Sequence, residues 1–240
     1  KAQQVKPKYN KNRCIYSNNN NIDLLSENTF TYRKTLKKHS INLLAGFTTQ
    51  KTTISREQTT GLDYPSDNIR TLNNASSIDR AGTFGIRDQI GLVSYLGRVN
   101  YEYNNKYLLS VSFRTDGSSY FGEGNKWGSF PSISGGWVVS QEKIMKNVDW
   151  ISRLKLRASY GATGNNRISD FAYLDLLSTG NYPFGGGTGV NTSGQVTSRT
   201  NIANPSITWE RTFQSNFGLD VSLLKNKISL AFDIYQSNTE

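Results

Sequence analysis

The 240-residue chain holds one cysteine, one histidine and one methionine. Cys14 has no second cysteine to pair with, so an internal disulfide is excluded. With His39 as the lone histidine, thiolate and imidazole metal sites are excluded as well, and no cofactor is implied. No apolar run approaches the roughly 18 residues that a transmembrane helix needs, and mean hydropathy is −0.56. A membrane β-barrel stays open, because its strands are only half apolar. The first residues lack a signal-peptide core, and a start on Lys1 reads as an internal piece of a longer protein. Phosphate-binding loops are missing: GEGN at 122–125 lacks the third glycine, and no Lys-Ser/Thr follows GGGTG at 185–189. Asp116 and Glu123 do not have EF-hand spacing and read as turn formers. Asn74-Ala75-Ser76 and Asn191-Thr192-Ser193 match glycosylation sequons.

What is abundant points to strands and turns: 13 Tyr, 11 Phe and 21 Gly. Net charge is +10. Its densest cluster, Lys1, Lys6, Lys8, Lys11 and Arg13, lies in 1–21, a basic polar segment read as loop or part of a preceding strand. The other cations are scattered and no RNA-binding aromatic motif is present, so nucleic acid is not an expected partner.

Eight segments alternate with period two: 22–34, 40–55, 92–103, 106–116, 127–140, 152–161, 206–223 and 227–238. In 209–236, Phe217, Leu219, Val221 and Leu223 oppose Asn216, Gly218, Asp220 and Ser222. Beyond Lys225-Asn226 the phase restarts with Ile228, Leu230, Phe232 and Ile234. Segments of this length exceed the usual 5–6 residues of a soluble strand. Short connections (35–39, 104–105, 141–151, 224–226) alternate with long ones rich in Gly, Asn, Ser and Thr (56–91, 117–126, 162–205). Sorting short turns to one end and long loops to the other is the habit of outer-membrane barrels. At about 2.3 Å of climb per residue on a strand tilted 45°, Trp209 stands roughly 37 Å above the Lys225 turn, clear of an apolar band about 25 Å tall. Two rival readings accompany the barrel. One is a soluble all-β glycan-binding module, the other an outer-membrane hydrolase using His39.

The stretch 114–137, RTDGSSYFGEGNKWGSFPSISGGW, resembles the SusC/RagA family of TonB-linked outer-membrane transporters. The motif residues are Arg114, Asp116, Gly117, Ser118, Ser119, Phe121, Gly122, Trp127, Gly128, Phe130, Pro131, Ser132, Ser134, Gly136 and Trp137. LKLRASYGATGNN (154–166), NPSITWERTFQSNFGLD (204–220) and YLGRVNYEYNNKYLLSVSFR (95–114) agree with the same family. The resemblance implies about eight strands, over 22–240, of a 22-stranded, plugged, antiparallel up-and-down transmembrane β-barrel, an all-β fold. It implies import of oligosaccharide or peptide with a SusD-like surface lipoprotein, driven by TonB through a segment missing from this chain. The expected localisation is the bacterial outer membrane, and no bond-making chemistry is expected.

On that reading, strand phase turns Asn100, Glu102, Ser110, Arg114, Lys155, Arg157, Glu210, Gln214, Asn216, Asp220 and Asp233 towards the lumen. Tyr101, Tyr103, Tyr107, Trp137, Trp150 and Trp209 are the expected aromatic girdle in contact with outer-membrane lipid. Pro131, lacking an amide donor, predicts a bulge or a local break in pairing.

Overall fold

The computed structural model describes residues 12–66, 68–69, 71–145, 147–169, 172–184, 192–199 and 201–240. Its strands are β1 (Arg13–Leu36), β2 (His39–Leu62), β3 (Ser77–Tyr103), β4 (Tyr107–Ser118), β5 (Trp127–Val138), β6 (Ile151–Asn165), β7 (Leu177–Phe184), β8 (Thr192–Arg199), β9 (Glu210–Leu223) and β10 (Ile228–Thr239). Eight of them form one sheet in the order β1-β2-β3-β4-β5-β6-β9-β10, so every chain neighbour is also a spatial neighbour except where the β7–β8 hairpin intervenes. The fold is all-β and up-and-down, as the alternation predicts. No helix among the described residues is long and apolar enough to cross a membrane, which has no bearing on crossing by strands.

The tight turns follow from residues that tolerate left-handed backbone. Asn104 and Asn105 lie at φ 51° and 57°, and Lys106 N–H donates to Tyr103 O at 3.0 Å. Lys225 and Asn226 repeat this conformation at the β9–β10 turn. The longer connection after β5 closes with two single 3₁₀ turns, Val139–Gln141 and Lys143–Met145.

Several boundaries differ from the sequence expectation, and the long-loop end accounts for most of them. β1 begins at Arg13, inside the segment expected to be separate (1–21); Lys1, Lys6, Lys8 and Lys11 lie outside the described residues. β2 runs to Leu62 and β3 starts at Ser77, so the expected loop 56–91 shrinks to 63–76. The region expected as the loop 162–205 contains the hairpin β7–β8, whose register runs from Leu177↔Arg199 to Phe184↔Thr192. The physical reason is common to these segments. Where neither face carries an apolar stripe, side chains need not alternate, yet the backbone ladder continues. REQTTGL (56–62) and SIDRAG (77–82) are such stretches.

Two compact units emerge from the chain, 1–25 with 50–90, and 26–49 with 91–240. In the first, Asn12 clasps the chain after β2: its Oδ1 accepts from Tyr64 N–H at 2.8 Å and its Nδ2 donates to Tyr64 O at 3.0 Å. Thr60 Oγ1 and Gln58 Nε2 both donate to Gly82 O, tying β2 to β3. The second unit carries the features that follow.

Candidate functional site: a two-faced barrel wall

Register fixes which residues share a face. Reading across β3, β4, β5, β6, β9 and β10, one file is Tyr101, Leu109, Gly135, Ala158, Phe217 and Ile234. The next file on this face is Tyr103, Tyr107, Trp137, Leu156, Leu219 and Phe232. Between them runs Glu102, Leu108, Gly136, Arg157, Gly218 and Asp233, on the opposite face. The apolar face lies open even in the middle of the sheet: Phe113 is 51 % exposed, Ile133 50 %, Tyr160 53 % and Phe217 67 %. An exposed apolar surface continuous over several strands marks a membrane or partner contact, because water would penalise it heavily.

Aromatic rings bound this face at two levels. Next to the short turns, Tyr103 stacks on Tyr107 (6.4 Å) and Tyr107 on Trp137 (6.5 Å), while Trp150 stands exposed at the end of its turn. Higher up, Phe47 meets Tyr95 and Tyr95 stacks on Trp127 at 6.1 Å, while between the two levels Tyr160 stacks on Phe213 at 6.4 Å. Trp127 and Trp137 sit ten positions apart on β5, or about 23 Å of climb for a tilted strand. That nearly equals the roughly 25 Å apolar band of an outer-membrane barrel.

Trp209 does not join the upper ring, and here the expected girdle needs correction. Only 5 % exposed, it packs with Phe121 and Phe130 in a small core, with Leu92, Tyr120, Ile168 and Ile207 around it. Its indole N–H donates to Lys126 O at 2.9 Å. Sequence phase alone assigns Trp209 to the apolar face, but it lies just before β9, where parity no longer binds. Tyr95 and Trp127 take the upper position instead. Sequence reasoning missed Tyr95 as a girdle residue and gave Trp127 only a motif role, although both share the phase of Tyr101 and Trp137.

The motif 116–136 now has mechanical parts. Asp116, buried, accepts from Arg114 Nε at 2.8 and 2.9 Å, and Arg114 Nη2 reaches Ser94 Oγ at 3.3 Å. Ser118 N–H donates to Lys126 O across the loop, and its buried hydroxyl accepts from Tyr120 N–H and Asn166 Nδ2. Ser119 N–H donates to Gly91 O at 3.0 Å. Phe121 is wholly buried beneath this loop, with Gly122 against Tyr173. Gly128 is required by contact: a Cβ there would stand 2.8 Å from Trp209 Cγ. Gly117 lies under the Trp127 ring. Pairing of β5 with β6 stops at Ser132↔Gly161, beside Pro131, while pairing with β4 runs through Phe113↔Pro131 unshifted. The missing amide of Pro131 thus coincides with a local break in pairing rather than a bulge.

On the polar face, Arg157 is the centre of an ion cluster. It donates to Asp220 twice (Nε to Oδ2 3.0 Å, Nη2 to Oδ1 2.9 Å) and from Nη2 to Asp233 Oδ2 at 3.2 Å. The guanidinium crosses directly over Gly218, where a Cβ would lie 2.6 Å from its Cζ. Lys155 pairs in register with Asp220. Asn100, Ser110 and Asn216 share the file above, and Gln214 lies in register with Gly161 one file higher. Glu210 takes a hydrogen bond from Asn165 Nδ2 at the top of β9. Open pockets of about 700 and 730 Å³ lie along this wall, one around Asn100, Glu102, Lys155 and Arg157, the other around Arg114, Ser132 and Gln214. His39 is engaged by aromatic neighbours: its Nδ1 is 2.7 Å from Tyr101 Oη and its ring lies 4.9 Å from that of Tyr103. Among the described residues no three His, Cys, Asp or Glu converge as a metal site.

A sheet with an exposed apolar face, a polar face and aromatic rings along the apolar one defines a class: the wall of a membrane β-barrel. Comparison with known proteins carries this to a family. No family model matches the chain. The TonB-dependent receptor P39 of Formosa agariphila is 37% identical over 219 residues, 91% of this chain and 20% of that protein. The TonB-dependent receptor SusC of Bacteroides thetaiotaomicron is 42% identical over 154 residues, 62% of this chain and 15% of that protein. In fold, the chain superposes on the RagAB peptide transporter with a TM-score of 0.82 at 24% identity, covering 94% of this chain and 24% of that one. By sequence the chain is a portion of a TonB-dependent receptor of the SusC kind, and its fold is that of the matching part of the RagAB peptide transporter. It spans about a fifth of the length of the curated relatives it matches.

Proposed function

We propose that this chain is a wall segment of an outer-membrane importer that takes up oligosaccharides or peptides. TonB supplies the energy through another part of the protein, and a SusD-like surface lipoprotein closes the top. The importer moves its cargo without making or breaking a bond in it. The carrying observation is the pair of faces. Files such as Tyr101–Leu109–Gly135–Ala158–Phe217 suit acyl chains, and Glu102, Arg157 and Asp233 between them suit a hydrated interior. TonB dependence is that of the similar receptors, a peptide cargo is that of the RagAB peptide transporter, and the oligosaccharide class follows from the motif resemblance alone. The long segments 56–91 and 162–205 are the proposed places of cargo or lid contact. Of these, 185–191, with Asn191, lies outside the described residues.

The test uses the complete reading frame that encodes this chain, expressed in its own cells. Single cysteines at Leu109, Ser110, Val111 and Ser112 are probed with a lipid-soluble and a membrane-impermeant thiol reagent. Alternate labelling is expected, with Leu109 and Val111 reacting from the lipid phase. The protein should also fractionate with the outer membrane, and uptake should stop when TonB is deleted. Uniform aqueous labelling at all four positions, or uptake indifferent to TonB, would refute the proposal.

A further inference from the structure

The apolar face is not evenly covered. Gly135 and Ala158 face each other in register between Leu109 and Phe217, and the missing side chains leave a groove. It has a volume of about 700 Å³ and is walled by Trp137, Leu156, Phe217 and Phe232. A Cβ at Gly135 would meet nothing within 4 Å, so the dent is real space. The groove opens beside Trp137, next to the short turn, and reaches Phe217, six positions above Leu223. That is roughly 14 Å of climb, about one leaflet of a hydrocarbon core some 30 Å thick.

At its foot stands a basic rim. The short turns are joined edge to edge by backbone hydrogen bonds: Asn104 N to Lys38 O (2.6 Å), Val138 N to Lys106 O (2.8 Å) and Leu224 N to Trp150 O (2.9 Å). Lys37, Lys38, Lys143, Lys225 and Lys227 are exposed along this rim, and among the described residues of these turns the acids are Glu142 and Asp149. Glu142 is already engaged by Lys106 at 2.9 Å. At the other end of β4, β6 and β9 cations alternate with acids, as in Arg114–Asp116, Glu123 with Lys126, and Glu210 with Arg211.

We infer that this wall holds an anionic phospholipid of the periplasmic leaflet at a fixed place. One acyl chain lies in the Gly135–Ala158 groove, and the phosphate is met by Lys143, Lys225 and Lys227. The inference rests on the orientation proposed above, with the short turns in the periplasm. A basic residue near an anionic headgroup gives roughly a five-fold gain in partitioning at low salt. Three together make selection between headgroups measurable.

The intact receptor is purified in mild detergent and titrated with palmitoyl-oleoyl phosphatidylglycerol or phosphatidylethanolamine, and retained lipid is counted by native mass spectrometry. Wild type should keep the glycerol lipid at least about ten-fold better than the ethanolamine lipid. In K143Q/K225Q/K227Q that ratio should fall to near one, while G135L should lose both lipids alike. A wild-type ratio near one, or a ratio unmoved by the triple substitution, overturns the inference. So does binding reduced by G135L with no headgroup preference in wild type, which would make the groove a general acyl slot. An epitope placed after Asn226 should be reached by antibody only in permeabilised cells. Detection on intact cells would show instead that the orientation has failed.

Discussion

Gly218 to Ala is a small change with an expected sign that depends on one other residue. In a strand, alanine ordinarily beats glycine by roughly 0.5–1 kcal/mol, because glycine loses more freedom on folding. At Gly218 the added carbon would stand 2.6 Å from Arg157 Cζ, 2.7 Å from its Nη2 and 2.8 Å from Asp233 Oδ1. The backbone has no reason to move, so the guanidinium must swing away and give up its hold on Asp220, Asp233 or both. Charge-assisted hydrogen bonds of this kind are worth about 1.5–3 kcal/mol when shielded. Arg157 and Asp220 each keep a third of their side-chain surface exposed, which brings the figure down to about 1–2 kcal/mol. Gly218→Ala in the wild-type background should therefore cost about 0.5–1 kcal/mol net. With Arg157→Ala already in place only the flexible Asp233 carboxylate has to shift, and the same substitution should stabilise by up to about 0.5 kcal/mol. The coupling in a double-mutant cycle is then about 0.5–1.5 kcal/mol, read from urea unfolding of the intact receptor in detergent–lipid micelles. A coupling below about 0.3 kcal/mol would refute the view that Gly218 is glycine in order to let Arg157 pass.

The other expectations concern the loop, the lipid face and the short turns. Trp209→Ala should cost about 3–5 kcal/mol, as for other buried tryptophans. It should also open 117–126 to added protease on intact cells, and unchanged protection would contradict the Phe121–Phe130–Trp209 clamp. Phe217→Lys should destabilise by about 2–4 kcal/mol in bilayers, whereas Asn216→Lys, one residue away on the polar face, should cost under about 1 kcal/mol. Equal costs would mean that the two faces do not differ. Hydrogen bonds from Lys106, Tyr107 and Trp137 hold the Glu142 carboxyl below its ordinary value of 4.5. Its stabilising effect is therefore complete above that value and is lost as the pH falls through the lower folded one. The melting-temperature gap between wild type and Glu142→Gln should be constant at neutral pH and close as the pH falls below the ordinary carboxylate range. A gap that widens on acidification would reverse the assignment.

How far the sequence alone reaches depends on whether lipid touches the segment. In β4, β6, β9 and β10 one face must be apolar, so Leu109, Leu156, Phe217 and Phe232 announce both strand and facing, and the sheet order follows from the short turns. Above the membrane band that pressure vanishes. β2 beyond residue 55 and β3 before residue 92 are strands held by ladder bonds and contacts such as Thr60 to Gly82, which leave no periodic trace. The same limit explains Trp209. Parity predicts facing only where a strand is paired on schedule, and Trp209 sits one residue before β9, where β6 has already parted from β5. For the polar face the sequence supplied the charges but not their partners. Arg157, Asp220 and Asp233 are 63 and 76 positions apart, and only the register that stacks Arg157 on Gly218 and Gly218 on Asp233 makes them a cluster. In a sequence, a glycine among Asn216, Asp220 and Ser222 is one more small polar-face residue. In the sheet it is the gap through which a cation reaches two acids, and a Cβ at that point would close it.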